Sequence, residues 1–316
     1  MDELNILITG LPRSGTTLTC ELLGGLPDAV ALDEPLDRAY LIGDTASQAS
    51  PGILSRIRAR AGRPVRSGGS QAGPVSPEDV CRRVDQFIRD TRESALSRGV
   101  VRTKSVDGRV IGRKVSDDRD VTGVRVGLVR VGEVSVDKPL TPDFLLAIKQ
   151  CGGFTAVLEA LVSRFAVFAL VRNPLSVLVS WQSVPMPVRD GHVPLAERLN
   201  PTLAMALSAI DDPIDRQFHL LDWFFGEYAR LLPRDSIVSY ESIVASGGQA
   251  LKAIAPRASG LDRPLVDRNR DRPRGDDPAL LKRLGTRLVD TDGPWWGFYS
   301  RNDVVNLLSE LTPGGE

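Results

Sequence analysis

The residues with the most chemistry in this chain sit in one short loop, Gly10-Leu11-Pro12-Arg13-Ser14-Gly15-Thr16-Thr17. A glycine-bearing loop that opens a helix gathers successive N–H groups into a concavity. The helix N-terminus adds positive potential, so such a loop cradles phosphate-like groups. Its register departs from the nucleotide-hydrolysing pattern G-x-x-x-x-G-K-[ST]. Gly10 and Gly15 keep the spacing, but Thr16 stands where the lysine belongs, and the positive charge is Arg13. The expected chemistry is binding of a phosphate-like group without standard ATPase apparatus. An ordinary strand-to-helix turn is the plain alternative.

Such a loop needs a strand before it and a helix after it. Leu4-Asn5-Ile6-Leu7-Ile8-Thr9 has strand length and composition, and Leu18, Leu22 and Leu23 share a helical face. Ala29-Val30-Ala31-Leu32 reads as a second strand, ending in Asp33-Glu34-Pro35. Proline stops the ladder there, and the C-terminal end of a strand is where α/β sheets hold ligands. Asp33 reads as part of a solvated acidic turn. Phe165 to Val171 is a continuous apolar run, the mark of a strand buried on both faces. It ends in Arg172-Asn173-Pro174, and a helix from Ser176 to Trp181 carries Ser180. In a P-loop NTPase such a strand offers an aspartate to magnesium; here it offers a cation. Ser236-Ile237-Val238-Ser239 reads as another parallel strand, followed by Tyr240.

The intervening segments are less specific. Residues 44–77 are rich in Gly, Ser, Pro and Ala, and Ser67 to Pro74 is linker-like, expected to be a mobile loop. Ser76-Pro77-Glu78-Asp79 opens a helix to about Ser97 that buries Val80, Val84, Phe87 and Ile88. Residues 100–137 alternate with period two around an Asp107-Gly108 hairpin signal and predict two or three antiparallel strands added to the parallel core. Their Arg113, Lys114, Arg125 and Arg130 suit a solvated strand face or a grip on an anionic acceptor. Helices are expected from Pro142 to Cys151, from Phe154 to Arg164 and from Asp215 to Leu232. The predicted fold is α/β: one domain over residues 1–316, a P-loop-type parallel sheet flanked by helices, with an antiparallel β insert near 100–137.

Two of these motifs together carry a resemblance. Pro12-Arg13-Ser14-Gly15-Thr16-Thr17 resembles the 5′-phosphosulfate loop of sulfotransferases that use 3′-phosphoadenosine 5′-phosphosulfate (PAPS). Arg172, with Ser180 eight residues later, resembles their second motif, which binds the 3′-phosphate. A fork of charged donors and a hydroxyl suit that task. The likeness covers the start of the chain, residues 165–181 and, weakly, 236–245. It implies, as in the tyrosylprotein-type enzymes, that Glu34 is the general base. It also implies a lysine that reaches the bridging oxygen of PAPS, with Lys138 the candidate and Lys104 and Lys114 its rivals. Tyr240 would contact adenine, with core packing the equal alternative, and one arginine among Arg268, Arg270, Arg272 and Arg274 would fold over the 3′-phosphate. The implied activity is metal-free transfer of a sulfuryl group from PAPS to a hydroxyl or amine of a small-molecule acceptor, releasing adenosine 3′,5′-bisphosphate (PAP). The alternatives are an atypical P-loop nucleotide kinase and a non-catalytic nucleotide-binding protein.

Composition limits the partners. Lys+Arg and Asp+Glu are 40 each, so no basic excess points to nucleic acid. With 42% hydrophobic and 25% charged residues the chain reads as globular. Cys20, Cys81 and Cys151 form no C-x-x-C pair, which suits reduced thiols and a cytoplasmic setting. His192 and His219 lack metal-ligand spacing. No run reaches membrane-spanning length, and Asp2-Glu3 lacks the positive start of a signal peptide, so no membrane partner is expected.

Overall fold

A computed structural model describes residues 4–43, 75–105, 115–119, 125–127, 130–184, 186–270 and 278–312. The expected linker-like loop, Arg113, Lys114 and Asp107-Gly108 lie outside them.

Five parallel strands form the central sheet: β1 (Asn5–Gly10), β2 (Ala29–Asp33), β7 (Leu145–Lys149), β8 (Ala166–Val171) and β9 (Ile237–Ser239). Their order is β2-β7-β1-β8-β9. From β1 the chain first moves outward to β2, and later crosses from β7 to β8 on the other side. Direction therefore reverses at β1, the kind of switch point beside which open α/β sheets hold their ligands. Helix α1 (Thr16–Gly24) follows β1 directly.

Side-chain alternation assigns the two faces. Ile6, Ile8, Leu145 and Ala147 pack with Leu22, Leu23 and Leu26 of the α1 side. Leu7, Leu146, Ile148, Val167 and Ala169 point the other way. There they meet helix α3 (Pro77–Arg98) and the helices that follow β7 and β8. Helix α3 begins as its sequence dictates: the Ser76 hydroxyl accepts the Asp79 N–H, Pro77 occupies the first turn, and Val80, Val84, Phe87 and Ile88 are buried. A short helix α2 (Arg38–Ile42) precedes it.

The insert folds as antiparallel pairs of its own, not as extensions of the parallel sheet. Strand β3 (Val100–Ser105) pairs with β6 (Arg130–Ser135), and β4 (Val115–Arg119) with β5 (Arg125–Gly127). The β3–β6 pair touches the core at one telling point: the Asp33 N–H donates to Thr103 Oγ1 at 2.9 Å.

Two further segments differ from expectation. The segment predicted as a helix from Pro142 to Cys151 is the strand β7, inserted between β2 and β1. Its apolar run is too short for periodicity to separate strand from buried helix. Length and the Gly152-Gly153 pair that follows are the deciding signals. The helix expected from Phe154 to Arg164 is instead two short ones, α4 (Cys151–Thr155) and α5 (Leu158–Val162). Beyond β8 come α6 (Pro174–Gln182), α7 (Pro194–Leu199), α8 (Pro201–Ser208), α9 (Pro213–Leu231), α10 (Tyr240–Ala245), α11 (Pro278–Asp290) and α12 (Arg301–Leu311).

The turn from β7 into α4 leaves no room for a side chain. A Cβ at Gly152 would lie 2.4 Å from Val193 Cγ1 and 3.3 Å from Ala196 Cβ. Gly152→Ala should therefore overpack the α4–α7 contact and cost about 1–3 kcal/mol. Urea denaturation measures this directly; an unchanged midpoint would show that the two helices part freely.

Candidate functional site

All five parallel strands end at the same edge, and each delivers a residue of interest there. Strand β1 leads into the Gly10–Thr17 loop. The Ser14 N–H donates to Leu11 O at 3.1 Å, closing a four-residue turn with Pro12 second and Arg13 third. Arg13 has φ 74°. Proline second and positive φ third is the pattern of a type II turn, in which glycine usually takes the third place. An arginine held there is strained, as residues at functional sites tend to be.

The neighbouring β8–α6 unit holds this shape. Trp181 Nε1 donates to Pro12 O at 2.8 Å, and Arg172 Nη1 donates to Arg13 O at 3.0 Å. The Ser14 hydroxyl lies 2.8 Å from Leu11 O and 3.0 Å from Leu170 O, turned into the protein, so Ser14 braces the loop through its side chain. Gly15 precedes α1 and offers no side-chain cap. The first amides of α1 therefore have no intrahelical acceptor, the arrangement that receives anions. Arg13 Nε donates to Ser180 Oγ at 3.0 Å, so the two sequence motifs meet.

Strands β2 and β7 supply the charges. Asp33 and Lys149 are partners in the parallel register, and both point to the α1 face. Lys149 Nζ donates to Asp33 Oδ1 and to Glu34 Oε1, each at 3.0 Å. The lysine side chain is only 2% exposed. Thr17 Oγ1 donates to Asp33 Oδ2 at 3.3 Å, tying the pair to the loop. Glu34, with φ 46°, is held in left-handed backbone by its N–H bond to Lys149 O at 2.7 Å. Its side chain is 19% exposed, and Lys104 of β3 donates to Oε2. Burial pulls the Lys149 pKa down, but Asp33, then Cys151, Glu34 and Cys20, raise it well above the ordinary lysine value of 10.5. The ammonium is thus charged throughout neutral pH. Because the folded value lies above the unfolded one, the stabilisation from its pairing is complete below pH 10.5 and is lost only as pH rises beyond it.

Several expected positions differ. Lys138 is not near the loop: it donates to Gly24 O and to Leu26 O, the latter at 2.6 Å, at the far end of α1. Nine helical residues separate the two ends by about 13 Å. A lysine there satisfies terminal carbonyls of the helix. Asp33 is buried, not a solvated turn. Tyr240 is 3% exposed, with its ring against Gly15 and the Arg172 guanidinium 4.4 Å above its centroid. Its hydroxyl accepts the Arg268 N–H at 2.9 Å, so it packs beneath the loop and presents no face to adenine. Arg172 is largely committed to protein: Nε donates to Asn269 Oδ1 at 2.6 Å and Nη2 to Arg268 O at 2.8 Å. Arg270 pairs with Glu310, while Arg272 and Arg274 lie outside the described residues. His192 pairs with Glu197.

Lys149 is the residue that sequence reasoning missed. Its signal was a lysine closing the apolar run Leu145-Leu146-Ala147-Ile148, visible only once that run is recognised as a strand. No protein-family model matches the chain, and no curated protein sequence matches it.

The cradle allows little change. Gly15 has φ 87°, and a Cβ there would lie 2.6 Å from Tyr240 Cδ2. Gly15→Ala should pay about 1–2 kcal/mol of left-handed strain and displace the tyrosine. Thermal denaturation should show the loss of stability, and calorimetric titration a drop in nucleotide affinity; unaltered affinity would mean that the loop is not the anion site.

Proposed function

We propose that this protein transfers a sulfuryl group from PAPS to the hydroxyl or amine of a small-molecule acceptor, releasing PAP. The observation that carries the reading is the meeting, at one sheet edge, of an uncapped helix N-terminus, Arg13 with Ser180, and the Glu34–Lys149–Asp33 cluster. A donor with a phosphate bearing a transferable sulfuryl group fits these residues. The loop amides and Arg13 would hold the 5′-phosphosulfate. Ser180, with the N–H groups that Arg172 does not already commit, would take the 3′-phosphate.

Glu34 is the base. It is the carboxylate of the pair with a path to solvent, and it accepts the acceptor's proton as the acceptor oxygen or nitrogen bonds to sulfur. The bond from sulfur to the bridging oxygen breaks, and its electrons leave on the nucleotide phosphate. Lys149 and Arg13 stabilise the charge that grows there, a task that preorganised cations in a dry site perform well. Lys149 supplies the positive charge expected of Lys138, acting from beneath the Asp33 and Glu34 carboxylates it bonds and not by contact with the bridging oxygen. Lys104 steadies Glu34 from the insert side. Buried reduced thiols fit a cytoplasmic setting; among the described residues no helix is long and apolar enough to cross a membrane.

Two measurements test the reading. Isothermal titration should give PAP binding without metal, at least about tenfold tighter than AMP, equivalent to 1.4 kcal/mol. Equal affinity for AMP and PAP removes the 3′-phosphate assignment, and tighter binding of ATP with magnesium would favour phosphoryl transfer. Glu34→Gln should lower turnover by roughly 10²–10⁴ while PAP affinity stays near wild type. Full activity of that variant on an alkyl alcohol would move the base elsewhere.

A further inference from the structure

The two carboxylates around Lys149 are not equivalent. Glu34 reaches the surface and contacts Lys104, whereas Asp33 is 4% exposed and contacts the donor loop through Thr17. If Glu34 takes the acceptor's proton, it loses its charge in every turnover. A lysine sealed as Lys149 is, with that carboxylate as its only anion, would then be an unpaired ammonium in a low-dielectric interior and would shed its proton.

We infer that Asp33 is a positioning residue whose carboxylate keeps the Lys149 ammonium charged and beside Thr17 while Glu34 changes protonation. The assignment rests on the proposed reading only in taking Glu34 as the base. The geometry is specific. Asp33 and Lys149 are register partners on adjacent strands, so the pair needs no long side chain to reach across. Thr103 Oγ1 accepts the Asp33 N–H, and Thr17 Oγ1 donates to the carboxylate oxygen that Lys149 leaves open. Among the described residues, Glu34 itself and the thiols of Cys151 on α4 and Cys20 on α1 also act on the ammonium, and the Lys104 ammonium faces Glu34 from β3. Among the groups that oppose the desolvation of Lys149, Asp33 is the strongest, ahead of Glu34. The arrangement separates two duties: one carboxylate exchanges protons, and the other keeps the cation in place.

Asp33→Asn tests this through a pH profile, since a merely structural loss would lower activity alike at every pH. In the variant the lysine keeps only Glu34, and its pKa should fall into the range open to measurement. Between about pH 6 and pH 9, turnover and PAP affinity should both acquire an alkaline decline, approaching tenfold per pH unit in turnover, that wild type lacks. Adding Lys149→Arg should abolish the decline, because a guanidinium does not deprotonate in this range. A wild-type-shaped profile in Asp33→Asn, or a loss of equal size at every pH, overturns the inference. Should that variant not fold, Glu34→Gln supplies the second test. It mimics the protonated base with Asp33 intact, so its PAP affinity should stay flat to alkaline pH; a decline would show that Asp33 alone does not hold the charge. Intact turnover in Glu34→Gln would instead remove Glu34 as the base, whatever the binding profile shows.

Discussion

A lysine ammonium sealed inside a protein must be met by negative charge, and at the C-terminal edge of this sheet that demand organises everything nearby. Removing one partner from such a pair typically costs about 3–5 kcal/mol, because the charge left behind has neither water nor counter-ion. Lys149 meets the demand with Asp33 and Glu34, which forces β2 and β7 into one register and bends the backbone at Glu34 into left-handed space. The insert is drawn in by the same requirement, with Thr103 fixing the Asp33 backbone and Lys104 reaching Glu34. A β insert whose described strands form ladders only with one another thereby becomes part of the site.

On the other side of β1 the organising contacts are made to backbone carbonyls. Consecutive carbonyls of the loop, Pro12 and Arg13, are held by Trp181 and Arg172 from the β8–α6 unit. In a trans peptide the carbonyl and the following N–H point in opposite directions, so fixing these oxygens orients the backbone of the loop as a whole. The strained φ of Arg13 persists because its surroundings over-determine it. Arg172 also grips Asn269 and the Arg268 carbonyl, and Glu241 accepts from both Asn269 Nδ2 and the Asn173 N–H. The segment 266–270, without regular structure of its own, is thus fastened to the same sheet edge as the Gly10–Thr17 loop.

The proposed chemistry draws on both halves: oriented amides and a guanidinium on one side of β1, and a proton acceptor beside a permanently paired cation on the other. Neither half is complete alone. The contact from Thr17 to Asp33 is where they join, and it lies in the first turn of α1, the helix whose N-terminus forms the cradle.

What the sequence determined by itself was local. The Gly10–Thr17 loop between strand and helix, the strands at Ala29–Asp33 and Ala166–Val171, the Ser76 cap of α3 and the helix that follows Arg172-Asn173-Pro174 are all legible because turn chemistry, caps and apolar runs act over a few residues. The overall α/β plan followed from those signals in order. Tertiary structure alone decided which lysine enters the site. Lys104, Lys138 and Lys149 are alike in sequence, and what separates them is whether their partners, more than seventy positions apart for Lys138 and Lys149, are helix-end carbonyls or carboxylates. Asp33 and Tyr240 went the same way. A carboxylate becomes buried only when a cation arrives on the next strand, and a tyrosine loses its open face only when an arginine from another element lies across it. Strand β7 was the missing link, since five apolar-to-basic residues are too few to declare their own geometry until β1 and β2 flank them.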